Sequence, residues 1–201
     1  MRSRVALEFL GQTRGYDGGQ ISRRLPRSAP STSVNTELNA LSIERLRARA
    51  RDMTRNNPYM ARALDVWTSN VVGEGITPAA RCRNKTRNRK VNELWRAFAE
   101  QCDAGGQLDF NGLLALAVRS AFEGGDTLAR FRTRRAEDGL AVPLQIQLME
   151  SDFLDASRHG TLDGGRSVLG VAFDGIGRRA GYWLFPQHPG DRGQFQLSTV
   201  A

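Results

Sequence analysis

The stretch 109–134, DFNGLLALAVRSAFEGGDTLARFRTR, decides the fold class because its apolar pattern changes period in the middle. Asp109 is a typical helix N-cap residue, and from there to Gly124–Gly125 apolar residues recur at helical spacing. They are Phe110, Leu113, Leu114, Ala117, Val118, Ala121 and Phe122. Beyond the glycines the period becomes two, with Thr127, Ala129, Phe131 and Thr133 alternating with Leu128, Arg130, Arg132 and Arg134. The chain therefore changes here from helix to strand.

Upstream of this change the same helical period predicts three more helices. The first begins at Thr36 and has an apolar face of Leu38, Leu41, Leu46, Ala50 and Met53, with Glu44, Arg45, Arg47, Arg49 and Arg51 largely off it. Asn57–Pro58 is a start signal for the second, with the face Met60, Leu64, Trp67 and Val71 before Gly73. The third has the face Val91, Leu94, Trp95, Phe98 and Cys102, and Gly105–Gly106 closes it.

Downstream, period-two segments predict antiparallel strands at 144–148, 168–173 and 179–185, the last two joined by a hairpin turn at 174–177. Helices followed by antiparallel strands indicate an α+β fold. We expect a helical part at 36–125 and a β part at 126–201. Residues 1–35 are rich in Gly, Pro and Arg with little apolar periodicity, which predicts an irregular basic arm. The arm either packs on a neighbour or a polyanion, or is a solvated tail.

Composition limits the functional classes. The 29 basic residues exceed the 21 acidic ones, for a net charge of +8, and all but Lys85 and Lys90 are arginine. Cys82 and Cys102 are too few for a disulfide scaffold and, with only two histidines, for a compact zinc site. No apolar run is long enough for a transmembrane helix, and the first residues do not form a signal peptide. We expect no membrane association.

A search for catalytic motifs finds little. Nucleophile-elbow, phosphate-loop and zinc-protease motifs are absent. Residues 175–180 match a dinucleotide-binding fingerprint, but strand-like sequence follows them. This argues against a dinucleotide site, because the pyrophosphate needs a helix N-terminus there. The best acidic cluster is Glu150, Asp152, Asp155 and Asp163, which fits metal-dependent phosphoryl chemistry or ordinary turns and caps. His159 and His188 lack spaced partners. We predict no enzyme and no cofactor.

The candidate binding residues lie in one basic run, Arg81, Arg83, Lys85, Arg87, Arg89 and Lys90. Clustered cations release counterions from a phosphate backbone, so the run is a candidate nucleic-acid contact. No aromatic residue interleaves it, and a solvated loop and helix start explains it as well. A second set, Arg130, Arg132 and Arg134, forms the polar face of a strand. There we expect Glu or Asp partners on the neighbouring strand.

Several short sequence motifs occur in an order that resembles the lambda-type bacteriophage portal proteins. In the first half they are ARARD at 48–52, RNNPY at 55–59, ARA at 61–63, NVVGEGI at 70–76, LW at 94–95, CDA at 102–104 and LDF at 108–110. In the second half they are LAVRS at 116–120, Glu123, Gly125 and Asp126, VPLQ at 142–145, ESDFLD at 150–155, GVAFD at 170–174, Tyr182 and HPGD at 188–191. The resemblance covers roughly residues 14–191.

The resemblance implies a structural protein that forms a ring, expected to be a dodecamer of identical subunits, at one capsid vertex. Double-stranded DNA is packaged through such a ring by a terminase motor and leaves through it to the tail. The implied partners are therefore this motor, capsid and tail-connector proteins and DNA, in the virion or in the bacterial cytoplasm during assembly. A basic arm suits draping over a neighbouring subunit.

Length is where the sequence departs from this family. Portal proteins continue into a helical stem, a clip and a crown, so the chain resembles the amino-terminal, wing-type portion. We expect a fragment, one half of a split gene or a prophage remnant. Two alternatives remain, a free-standing basic nucleic-acid-binding module and a metal-dependent nuclease using Glu150, Asp152 and Asp155.

Overall fold

Helices precede strands along the chain in the computed structural model, which describes residues 40–162, 164–191 and 199–200. The helices are α1 (Ala40–Asn56), α2 (Pro58–Val72), α3 (Lys85–Gln101) and α4 (Phe110–Gly124). The strands are β1 (Thr127–Thr133), β2 (Leu144–Glu150), β3 (Gly160–Leu162), β4 (Gly165–Val168), β5 (Val171–Asp174), β6 (Arg179–Leu184) and β7 (Thr199–Val200). The predicted α+β class is confirmed. The basic arm at 1–35 lies outside the described residues, and the predicted part boundaries stay predictions.

The strands form two antiparallel sheets. β1 and β2 pair along their whole length, from Thr127 opposite Glu150 to Thr133 opposite Leu144. The other sheet has the order β3-β4-β5-β6-β7. The predicted single strand at 168–173 is wrong, because a tight turn at Leu169, whose φ is +50°, and Gly170 separates β4 from β5.

The start of α2 follows the predicted N-cap signal. The side-chain oxygen of Asn57 accepts hydrogen bonds from the backbone N–H of Tyr59 at 2.9 Å and of Met60 at 3.4 Å. Pro58 occupies the first turn, where the missing N–H costs nothing. At the other end the N–H of Gly73 donates to the carbonyl of Ser69 at 2.9 Å. Local sequence therefore fixes both ends of this helix.

We expect Asn57→Ala to lower the free energy of unfolding by about 1 kcal/mol, because two N–H groups lose their side-chain acceptor. Urea unfolding measures this change. The matched variant Asn57→Asp keeps an acceptor oxygen and adds a favourable charge at the helix N-terminus, so it should unfold close to the native chain. An equal loss in both variants would show that the cap contributes nothing.

Helix α1 packs with the opposite face from the one its apolar pattern predicts. Leu41, Leu46 and Met53 are 56%, 54% and 47% exposed, whereas the side chains of Arg47 and Arg51 are only 12% and 21% exposed. The two arginines are half-buried because acidic groups and backbone carbonyls at the ends of α4 and β2 accept hydrogen bonds from their N–H groups. Polar contacts therefore decide the orientation of α1.

Buried apolar residues are few in the described part of the chain. They are Leu64, Cys102, Leu113, Met149, Ala172 and Leu184. Helix α4 contacts α1, α2, α3 and the β1–β2 hairpin, so it forms the centre of the helical part. None of the described helices is long and apolar enough to span a bilayer.

Candidate functional site

The basic segment, residues 81–90, is a loop that is fastened to the first turns of α3. The side chain of Asn88 accepts from the N–H of Cys82 at 2.9 Å and donates to the carbonyl of Cys82 at 3.0 Å. Asn92 accepts from the N–H of Ala80 at 2.9 Å. Asn84 caps the helix by accepting from the N–H of Arg87 at 3.0 Å. Three asparagines thus hold the backbone that carries the cations.

All six predicted contact residues of the basic segment, Arg81, Arg83, Lys85, Arg87, Arg89 and Lys90, are exposed. Within the described residues one ion pair involves them, between Arg89 and Glu93 at 3.8 Å. Four of them lie in the first turns of α3, where the helix dipole adds positive potential. The segment therefore presents positive charge to solvent, and its contact with nucleic acid stays a prediction.

A second charged cluster lies where α1 meets the ends of α4 and β2. The sequence singles out its Glu150 and Asp152 but not its arginines. We name this cluster the charged junction: Arg47, Arg51, Asp126, Glu150 and Asp152. Arg47 donates to the carbonyls of Gly124 and Ser151, both at 3.3 Å, and to Asp126 at 3.0 Å. Arg51 donates to Glu150 at 2.7 Å and to Asp152 at 2.5 Å.

Electrostatics in the charged junction favour the ionised groups. Burial works to raise the pKa of Asp152, but the hydrogen bond and charge of Arg51 outweigh it and hold that pKa below its ordinary value. The hydrogen bond to Asp152 likewise raises the pKa of Arg51. The local sequence signals for this cluster are the spacing of Arg47 and Arg51, one helical turn apart, and the closeness of Glu150 to Asp152. The partners of the two arginines follow at least 77 residues later, beyond the reach of local patterns.

The charged junction also tests the metal hypothesis. Ligand atoms of Glu150, Asp152 and His188 all lie within 4.8 Å of one another, a spacing that a divalent cation could bridge. However, the guanidinium of Arg51 already bonds both carboxylates. Asp155 bonds instead within its own turn, to the N–H of Ser157 at 3.1 Å. Asp163, the fourth member of the predicted cluster, lies outside the described residues.

The histidines and the dinucleotide fingerprint have separate outcomes. The sequence suggests that His188 has no partner, but the structure gives it two. Its Nε2 lies 3.8 Å from Glu150, and its ring packs edge-on against Phe153. His159 is exposed. Gly175 and Gly177 lie in the turn before β6, so a strand follows them, as the sequence indicates, and not the helix that a dinucleotide fingerprint needs.

The expectation that Arg130, Arg132 and Arg134 have acidic partners on the neighbouring strand is wrong. Glutamines of β2 accept their hydrogen bonds, Gln147 from Arg130 and Arg132, and Gln145 from Arg134. The neighbouring strand therefore leaves the three charges without a carboxylate.

The exposed surface is unusually apolar. In the described part of the chain 15 large apolar side chains are exposed, against six buried apolar residues. Trp67 and Phe122, which are 51% and 40% exposed, stack across α2 and α4 with ring centroids 5.3 Å apart, and Val71 beside them is 54% exposed. Such surface is typical of protein that packs against other protein. The fold and surface together therefore favour a structural subunit of a larger assembly.

The comparison with known families identifies that subunit. The family of phage portal proteins of the lambda type matches residues 22–200, and the chain belongs to this family. The chain is 28% identical to a probable portal protein of Halomonas phage phiHAP-1 over 159 residues. This matched stretch is 74% of the present chain and 30% of the relative. The chain thus spans less than a third of that relative's length. Portal proteins are structural, virion-associated proteins rather than enzymes.

Proposed function

We propose that this chain is the wing-type part of a portal that forms a dodecameric ring of identical subunits at one capsid vertex. Double-stranded DNA enters through the ring during packaging by a terminase and leaves through it toward the tail. Membership of the lambda portal family over residues 22–200 carries this proposal. The protein performs no catalysis, and it acts first in the host cytoplasm and then in the virion.

The apolar surface supports assembly with other subunits. Trp67 and Phe122 are exposed and in contact across α2 and α4, and Val71 is exposed one helical turn after Trp67. Burying apolar surface stabilises by about 25 cal/mol per Å², so copies or connector proteins that cover these side chains gain binding energy from them. Capsid and tail-connector proteins are the further partners expected of a portal.

Quantitative mass spectrometry of purified DNA-filled particles from the encoding phage or prophage tests the portal assignment. Peptides of this chain should be present at about a dozen copies per particle, far below the major capsid protein. Disrupting the gene should leave capsids without DNA. Absence of the peptides from filled particles, or filled particles after disruption, would refute the assignment.

The basic segment supports contact with the DNA that a portal handles. Arg83, Arg87 and Lys90 are exposed and have no ion pair among the described residues. Since each lost phosphate contact lowers the salt slope of binding by about 0.9, R83Q/R87Q/K90Q should lower the slope for duplex DNA by about two to three. Fluorescence anisotropy over a salt series measures it.

A matched control separates the basic segment from net charge. R45Q/R49Q/R62Q removes the same three charges from exposed positions of α1 and α2, and should keep the native slope. Equal losses in both variants would reduce the effect to net charge. The second candidate function, a free-standing nucleic-acid-binding module, requires tight binding by the chain alone, and a flat salt response of the native chain would remove it.

A further inference from the structure

Strand β1 and the residue that follows it carry a row of three cations, the arginine row, consisting of Arg130, Arg132 and Arg134. Alternate residues of a strand share a face, so the three side chains lie on one side of β1 about 7 Å apart. Arg130 is exposed, and Arg132 and Arg134 are half-buried. Within the described residues no carboxylate lies within ion-pair distance of them. We propose that the arginine row binds the phosphate backbone of a nucleic acid.

Two arginines of the row share one uncharged acceptor. Arg130 and Arg132 donate to the same side-chain oxygen of Gln147, at 2.9 Å and 3.0 Å. Their two donor nitrogens are therefore at most about 6 Å apart, and the two positive groups repel each other. A glutamine oxygen carries no net charge that could offset this repulsion. A bound anion would, so the pair favours a negatively charged ligand.

The arginine row is held in position before any ligand binds. The side-chain nitrogen of Gln145 donates to the carbonyls of Gln101 and Asp103, both at 2.9 Å. Its oxygen accepts from Arg134 at 2.8 Å. Backbone groups thus fix the glutamine, and the glutamine fixes the arginine. Such positioning lowers the entropy that binding a ligand would cost.

Other N–H donors of the arginine row remain available to a ligand. A guanidinium has five N–H groups in a planar fork, and the hydrogen bonds to Gln147 and Gln145 use one nitrogen of each arginine. Planar forks match the oxygens of phosphate, so the free donors suit successive phosphates of one strand. The spacing of the row is comparable with that between neighbouring phosphates.

The surroundings of the row favour nucleic acid over an acidic protein segment. Arg132 and Arg134 line a cavity of about 410 Å³ beside α4. The acidic group of this cavity, Asp103, is occupied by three backbone N–H groups. Phe131, which is 70% exposed, belongs to the opposite face of the strand, so no exposed aromatic anchor of the kind protein interfaces use lies on the row's face of β1.

The test measures binding of the 201-residue chain to a fluorescent DNA duplex over a salt series. R130Q/R132Q/R134Q should lower the salt slope by about two to three and weaken binding at moderate salt at least tenfold. R45Q/R49Q/R62Q, with the same net charge, should keep the native slope. If the triple variant unfolds, R130Q/R132Q leaves the Arg134–Gln145 bond intact and should lower the slope by about two.

Three results would overturn the proposal. The first is that the arginine-row variant binds DNA with native affinity. The second is that this variant and the control lose equal amounts of DNA affinity. The third is that the arginine-row variant loses self-association but keeps DNA binding. The last would identify the row as a protein contact. These results do not affect the portal assignment, which depends on the copy number in particles. DNA contact by the basic segment is tested separately by R83Q/R87Q/K90Q.

Discussion

Asp103→Ala should lower the free energy of unfolding by about 3 kcal/mol, the largest effect expected from a single polar side chain here. Asp103 is 8% exposed, and its carboxylate accepts from the N–H groups of Gly105, Gln107 and Leu108 at 2.8, 2.9 and 3.1 Å. Alanine leaves these three donors without their acceptor in the turn between α3 and α4. Urea unfolding at neutral pH measures the loss.

The position of this turn explains the size of the effect. On either side of Asp103 the chain bonds to β2, with the N–H of Ala104 donating to the carbonyl of Ile146 at 2.9 Å and the N–H of Ile146 donating to the carbonyl of Cys102 at 2.6 Å. Losing the turn therefore loosens the contact between the helical part and the β1–β2 hairpin. Asp103→Asn, which keeps one acceptor oxygen, should cost less, about 1 kcal/mol.

The pH dependence has a definite sign. Burial works to raise the pKa of Asp103, but the three backbone N–H groups hold it below its ordinary value. Because the folded pKa lies below the unfolded one, the stabilisation is complete above an unfolded pKa of about 3.9 and is lost as pH falls through the folded pKa. The difference between native and Asp103→Asn chains should therefore shrink in acid. A constant difference would contradict this role.

The sequence predicts the helix ends and the fold class well because local chemistry determines them. Asn57, Asp109 and Gly125 act as caps where the sequence places them. The orientation of α1 could not be predicted, because apolar periodicity assumes that apolar groups are buried. In this helix the acceptors that decide which face is buried come from residues after 120.

The candidate sites divide in the same way. The basic segment is visible in the sequence because its residues are adjacent, and the structure keeps them together and exposed. The charged junction and the glutamine partners of the arginine row depend on strand register and long-range packing. Register places Gln147 opposite Arg130 and Gln145 opposite Arg132, which composition alone does not reveal.

Arg51→Met should lower the free energy of unfolding by about 2 kcal/mol at neutral pH. It removes the cation that bonds Glu150 and Asp152 and leaves the carboxylate of Asp152, whose side chain is 15% exposed, without its partner. Fully buried pairs lose about 3–5 kcal/mol on such a change, and partial exposure of the junction reduces that figure. Arg49→Met on the exposed face of the same helix is the matched control and should change stability by less than about 0.5 kcal/mol.

Acid should reduce the cost of Arg51→Met. In the native chain the pKa of Asp152 is held low, so the stabilisation by Arg51 is present above about pH 3.9 and is lost as pH falls through the folded pKa. Urea unfolding at neutral and acid pH should therefore show a gap that narrows in acid. An equal gap at both would mean that methionine acts by changing packing rather than charge.

The same variant decides between a structural junction and a metal centre. With Arg51 in place, its guanidinium holds the two carboxylates that a divalent ion would need, so zinc, magnesium or manganese should leave the native melting temperature unchanged. Without it, Glu150, Asp152 and His188 remain within 4.8 Å of one another, and zinc should raise the melting temperature of Arg51→Met. Stabilisation of the native chain by a divalent ion would instead show that the ion displaces Arg51 from the carboxylates, and would support the nuclease hypothesis. A native chain indifferent to these ions supports a junction that joins α1 to the hairpin, as a structural subunit requires.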